Sequence, residues 1–130
     1  MTHPNAVLLR AQIDALARGD LTQAMSFYTD DAIFHYPGAN PLSGEYRGKA
    51  KVLELLGRVM EITQGRFHPE VHDILASDDH VAALVTVHAE RDDRRAEWKS
   101  IDLFHVCDGR LSEHWVHEVD QDAVDRFFGS

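Results

Sequence analysis

Asp102 and His114 stand in "WKSIDLFHVCDGRLSEHWVHEVD", residues 98–120, two apolar runs broken by Asp108-Gly109. A carboxyl group beside an imidazole in a partly dry cavity gives two titratable groups that shift one another, as acid and base catalysis near neutral pH requires. In that chemistry Asp102 orients or protonates a substrate and His114 moves the proton. Tyr36, in "FHYP", would donate a hydrogen bond to a substrate oxygen, and Glu118 would be a second acid at the pocket rim. The Asp102–His114 pair also reads as a buried hydrogen bond that fixes strand register and touches no substrate.

Whether the two side chains meet depends on the turn between them, because a one-residue slip moves every side chain to the opposite sheet face. A two-residue Asp108-Gly109 loop pairs Cys107 with Arg110 and sets Asp102 opposite Trp115. A three-residue loop with Gly109 as a left-handed bulge pairs Val106 with Arg110 and sets Asp102 opposite His114. The bulged turn is the expectation, because it gathers Trp98, Ser100, Asp102, Phe104, His114, Val116 and Glu118 on one face, an apolar wall with few polar groups. Phe34 joins that wall from an earlier strand. Lys99, Ile101, Leu103, His105, Trp115 and His117 then form the outer face, expected to bury itself in a homodimer.

Other chemistries find less support. His114 and His117, three apart on a strand, point to opposite faces, and His68 and His72 lie too far apart to chelate without a turn, so no metal is expected. Cys107 has no basic partner and is expected to be a buried or half-buried inert thiol. No phosphate-binding glycine loop or Ser-His-Asp order stands out, and no cofactor is expected.

The elements that must position these residues follow from periodicity. Residues 4–18 place Val7, Leu8, Ala11, Ala15 and Leu16 at helical spacing, and "LTQAMSFYT" predicts a second, short helix that includes Tyr28. "DDAIFHYP" predicts a strand and "GANPLSGEYRG" a loop. "KAKVLELLGRVMEIT" predicts a third helix with Val52, Leu56, Val59 and Met60 on one face. From Phe67 the period changes to two, giving four antiparallel strands joined by tight turns, and "QDAVDRFF" predicts a terminal helix. The order implies an α+β fold in which helices pack on a strongly curved sheet and leave a conical cavity.

A chain of 130 residues suits one domain, residues 1–130. Twenty-two acidic against thirteen basic residues give a net charge of −9, which repels phosphate backbones and argues against nucleic acid. No apolar run is long enough to span a membrane, the opening "MTHPNAVLL" lacks the basic start and long apolar run that a secretion signal has, and the one cysteine forms no internal disulfide. A cytoplasmic protein is expected.

"ALARGDLTQAMSFYTDDAIFHYP", "LSGEYRGKAKVLELL" and "IDLFHVCDGRLSEHW" resemble the nuclear transport factor 2-like superfamily, which includes ketosteroid isomerases, SnoaL-like polyketide cyclases and limonene epoxide hydrolases. The resemblance covers nearly the whole chain and implies a cone-shaped α+β barrel, N-terminal helices on a curved mixed or antiparallel sheet. Of the isomerase pattern only the second oxyanion-hole acid is matched, by Asp102; Tyr36 stands where the base would be and Gln12 where the oxyanion-hole tyrosine would be. The cyclase acid two residues after the histidine is replaced by Val116. In the epoxide hydrolase pattern, Ser100 stands where the arginine would be. The resemblance therefore implies a small cofactor-free acid–base enzyme of isomerase, cyclase or dehydratase type acting on a mostly apolar organic molecule. The alternative is a non-catalytic ligand-binding or protein-interaction module of the same fold.

Overall fold

The computed structural model describes residues 2–129. Four helices and six strands follow in the order α1 (Pro4–Ala17), α2 (Leu21–Met25), β1 (Tyr28–Tyr36), β2 (Gly44–Arg47), α3 (Lys49–Thr63), β3 (Phe67–Ala76), β4 (His80–Arg91), β5 (Arg94–Cys107), β6 (Arg110–Glu118) and α4 (Gln121–Phe128). The strands form one mixed sheet in the order β2-β1-β6-β5-β4-β3, antiparallel except where β1 runs parallel to β6. The sheet stays open, with β2 and β3 at its edges. Among the described residues no helix is long and apolar enough to cross a membrane.

β4 shows the alternation that builds the core: Val81, Ala83, Val85, Val87 and Ala89 are buried while the residues between them are not. Their side chains, with Phe104 of β5 and Phe34 of β1, meet Leu9 of α1 and Val52, Leu55, Leu56 and Val59 of α3. Side chains on one face of a strand recur every second residue and those on one face of a helix every third or fourth, so these two periods alone fix the contact layer. Asn5, buried at the start of α1, is satisfied by donating from Nδ2 to the carbonyls of Ser77 and Asp78, at 2.8 and 3.1 Å, which pins the helix to the β3–β4 turn.

Several expectations are corrected. α1 turns Asn5, Leu9, Gln12, Ile13 and Ala15 inward and leaves Val7 exposed, because the inward stripe includes two polar residues that an apolar count passes over. α2 ends at Met25 and Tyr28 opens β1, two β-prone residues, Tyr28 and Thr29, overriding the helical spacing. The expected loop contains β2, whose residues pair with Ile33 to Tyr36 as a sheet-edge hairpin. Cys107 is exposed at the end of β5.

The β5–β6 register also differs from expectation. Asp108 and Gly109 both have positive φ, 50° and 76°, and form a two-residue turn that pairs Cys107 with Arg110. The extra residue lies further along β6: Val106 pairs with Leu111 and His105 with Glu113, so Ser112 is bulged, its hydroxyl donating to the His105 carbonyl at 3.3 Å. Asp102 therefore stands opposite Val116, not His114. The expected pairing is off by two positions, and a shift of two leaves every side chain on the expected face. Gly109 holds its φ without a Cβ penalty, so Gly109→Ala should lower unfolding free energy by about 1–2 kcal/mol in urea titration.

Candidate active site

Between the helices and the inner sheet face lies a cavity of about 90 Å³. Tight packing of Leu, Val and Phe side chains makes most of its wall, and the sheet supplies most of its polar groups. All nine residues singled out from the sequence line it: Phe34 and Tyr36 from β1, Trp98, Ser100, Asp102 and Phe104 from β5, and His114, Val116 and Glu118 from β6. They converge because β5 and β6 are neighbours whose alternate residues share a face, and because β1 runs alongside β6 with Phe34 opposite His114.

Asp102 and His114 meet across a diagonal of the β5–β6 pair, Nε2 lying 2.8 Å from Oδ1. The ring of His114 is held between Phe34 and Phe104, with centroid separations of 3.8 and 3.9 Å and tilts of 23° and 24°. Burial lowers the imidazole pKa, and the Asp102 hydrogen bond and charge only partly oppose this, so the ring is neutral at pH 7. The neutral tautomer that satisfies the pair carries its proton on Nε2 and donates it to Asp102. Nδ1 is then a buried lone pair without a partner among the described residues. Asp102, at 22% side-chain exposure against 7% for His114, is the member of the pair that faces the open space.

Glu118 lies further along the same face, Ser100 being its cross-strand partner. Burial first, then the charges of Asp102 and Asp125, push its pKa up to about 8. It is thus a neutral acid at pH 7, not the solvated carboxylate that a strand end suggests. The Tyr36 hydroxyl is pushed above its ordinary value by burial and by Glu118, Asp102, Asp125 and Tyr46, and remains a proton donor. Its ring meets those of Phe34 and Phe128 edge-on at 5.8 and 6.4 Å. Trp98 packs on Phe127 and Phe128 at 5.4 and 5.8 Å, so α4 backs the wall of the cavity at this end.

Two lining residues with polar groups, Gln12 and Tyr28, escaped the sequence reading as site members. Gln12 reaches in from α1 and Tyr28 from β1, and Gln12 Nε2 donates to the Tyr28 hydroxyl at 3.4 Å. The signal for Tyr28 lay in the β-prone pair Tyr28-Thr29, which extends the strand back across Asp30-Asp31 once the helix is ended at Met25. Among the described residues no three His, Cys, Asp or Glu side chains are grouped so as to hold a metal ion.

Comparison with known proteins agrees with this architecture. Residues 9–114 match the SnoaL-like domain family. An uncharacterized protein of Mycobacterium tuberculosis H37Rv is 27% identical over 122 residues, covering 93% of each chain. The solved structure of Bal32a, from a soil-derived mobile gene cassette, superposes with a TM-score of 0.92 at 27% identity, covering 96% of both chains. An NTF2-like protein of Burkholderia pseudomallei K96243 superposes with a TM-score of 0.89 at 18% identity, covering 99% of this chain and 100% of its own.

From the ordinary 4.5 to the folded value of about 8, native Glu118 keeps a proton that the unfolded chain releases, so this group removes stability as pH rises through that window. Glu118→Gln should therefore gain on the order of 1–2 kcal/mol over the parent protein between pH 5 and pH 8.5, read from urea unfolding at the two values.

Proposed function

The chain belongs to the SnoaL-like domain family, and on that premise we propose that it is a cofactor-free acid–base enzyme acting on a compact, mostly apolar organic molecule. The observation that carries this reading is a carboxylate held by a neutral imidazole at 2.8 Å inside a cavity whose other walls are largely hydrocarbon. Asp102 lines the cavity with one oxygen held by His114, which leaves the carboxylate placed to accept a proton from a bound C–H or O–H. Asp102 touches the substrate and takes the proton. His114 is a positioning residue: locked between two phenyl rings, it presents one N–H and fixes the carboxylate's direction.

Glu118 supplies the complementary acid, since its proton remains in place up to about pH 8. Tyr36 donates a hydrogen bond to substrate oxygen. Two acids on one face, one held by an imidazole and the other lifted by burial and by its neighbour's charge, are the pairing that isomerisation, cyclisation or dehydration uses. At about 90 Å³ the cavity is well below the roughly 300–1,000 Å³ of drug-sized pockets, which favours a small ligand or one that protrudes from the mouth.

A second reading, a ligand-binding module without turnover, draws on the burial of His114 Nδ1, which leaves the ring no second nitrogen with which to relay a proton. Deuterium uptake from D2O into the acidic C–H positions of small cyclic ketones and enones, followed by NMR, separates the two. Asp102→Asn should cut exchange by about 10²-fold or more and His114→Gln by less, while the parent rate falls as pH rises through about 8 and Glu118→Gln removes that fall. Exchange untouched by Asp102→Asn would leave the binding module as the function.

The outer sheet face is the proposed seat of a second copy of the chain. A row of side chains crosses it from His80 of β4 through His105 of β5, Glu113 of β6 and His35 of β1 to Glu45 of β2. Glu113 accepts from His35 Nε2 at 2.6 Å and lies 3.7 Å from His105. Trp115 stacks on His35 at 5.3 Å, and Ile101 is 38% exposed. A row with imidazoles at one end and a carboxylate at the other is complementary to itself when turned by a two-fold axis. Ile101→Glu on this face should shift the sedimentation coefficient from dimer to monomer.

A further inference from the structure

We propose that the end of the cavity between Trp98, Ser100 and Glu118 binds the ammonium group of a compact aromatic or alicyclic amine. The proposal rests on the reading of the cavity as a binding site for a mostly apolar molecule, and it names a charged group that such a molecule carries into it.

Ser100 and Glu118 face each other across β5 and β6, and Asp102, paired with Val116, stands one step further along the same face, so the two carboxyl groups lie on a diagonal of the strand pair. Diagonal neighbours on one sheet face are within reach of each other. Of the polar side chains in the wall, Gln12 donates to Tyr28 and His114 to Asp102. Ser100, Tyr36 and Glu118 line the same cavity with no hydrogen-bond or ion-pair partner among the described residues. Ser100 is only 4% exposed, and a hydroxyl buried to that degree costs free energy until another group uses it. The indole of Trp98, 5% exposed, bounds this end and is backed by Phe127 and Phe128.

The charge of the wall selects the ligand group. Asp102 and Glu118 are its two acids, and no Lys or Arg side chain lines it; the Arg91 guanidinium is turned to the carbonyls at the end of α4. The groups that face Glu118 are Asp102 of β5, the Tyr36 hydroxyl of β1 and Asp125 of α4, with His114 neutral on its own strand, and none of them is a cation. Burial, and then the charges of Asp102 and Asp125, hold the Glu118 proton in place up to about pH 8. A cation beside Glu118 answers both causes: it supplies the partner that burial withholds and offsets the two negative charges. A neutral oxygen offsets neither. The ammonium N–H groups would be accepted by the Glu118 carboxylate and by Ser100 Oγ, with the electron-rich indole of Trp98 beside them. Such an ammonium takes the place of the Glu118 proton, so the amine occupies the site and withholds its acid from turnover.

Three probes of one shape test this: benzylammonium, benzyl alcohol and ethylbenzene, whose end groups are NH3+, OH and CH3. Binding to the whole protein is followed by calorimetry between pH 6 and pH 8, where benzylammonium keeps its charge, in buffers of different ionisation enthalpy so that released protons are counted. The affinity for benzylammonium should rise about tenfold from pH 6 to pH 7, with about one proton released per molecule bound, and at pH 8 it should exceed that for benzyl alcohol. Glu118→Gln should remove the pH dependence and weaken benzylammonium about tenfold or more at pH 8, and Ser100→Ala should weaken it about threefold. Both variants should leave ethylbenzene binding unchanged, which also shows that the cavity is intact. Benzyl alcohol bound as tightly as benzylammonium at pH 8, a benzylammonium affinity flat with pH in the parent protein, equal weakening of all three probes by Glu118→Gln, or no binding of benzylammonium would overturn the ammonium site. Its failure is separable from that of the enzyme reading, because exchange lost in Asp102→Asn with no pH-linked benzylammonium binding sinks the ammonium site alone, and pH-linked binding with no Asp102-dependent exchange sinks catalysis alone.

Discussion

The contact between Asp102 and His114 can exist only because both side chains point to the concave side of the sheet, and that depends on one bulged residue in β6. Without Ser112 as an extra residue, the two-residue turn at Asp108-Gly109 would set Asp102 opposite Trp115 and send His114 to the outer face. The bulge adds one position, restores parity, and so gives the strand pair one apolar and chemical face and one face of imidazole, tryptophan and carboxylate. Everything in the cavity inherits this parity: Trp98, Ser100 and Phe104 follow Asp102, and Val116 and Glu118 follow His114.

Once the carboxylate is inside, its charge reaches the other titratable groups of the cavity. Its charge opposes ionisation of Glu118, Tyr36 and Tyr28 alike, on top of what burial already does to each. Burial is the larger cause of the protonation of all three, and the charge of Asp102 adds to it. A site with a single held carboxylate and several neutral donors is suited to taking a proton from one part of a molecule while its oxygen is hydrogen-bonded at another. The aromatic clamp on His114 completes this, since a stacked ring cannot swing away from its carboxylate.

The helices serve the cavity from the other side. α3 presents Val52, Leu55, Leu56 and Val59 as hydrocarbon, and α1 contributes the one polar side chain, Gln12, that reaches the cavity from the helical layer among the described residues. α4 packs Phe127 and Phe128 against Trp98, and Arg91 donates from Nη1 to the carbonyls of Phe127, Phe128 and Gly129 at 3.1 to 3.3 Å. A guanidinium on the last carbonyls satisfies groups that a helix end leaves open and opposes its dipole. Nearby, Asp125 accepts from Asn40, Ala39 and Gln121, joining the β1–β2 connection to the same helix, and Gly38 approaches so closely that an added Cβ would lie 2.2 Å from Gln121.

The sequence by itself determined the α+β class and the order of helices and long strands, because helical and strand periods are local properties; the nine expected residues share the cavity because the expected register was off by two, an error that leaves each side chain on its face. It did not reveal β2, a four-residue edge strand inside a stretch rich in Gly, Pro and Ser, since edge pairing depends on a neighbour far along the chain. Nor did it place Tyr28 and Gln12: helical spacing carries on through Tyr28 to an end that only packing fixes, and a lone amide such as Gln12 reads as a gap in an apolar stripe. The tertiary structure alone decided where the bulge falls, which of the two acid–base groups meets the open space, and that Glu118 keeps its proton. Each of these is set by burial and by charges on other strands, and a linear pattern carries neither.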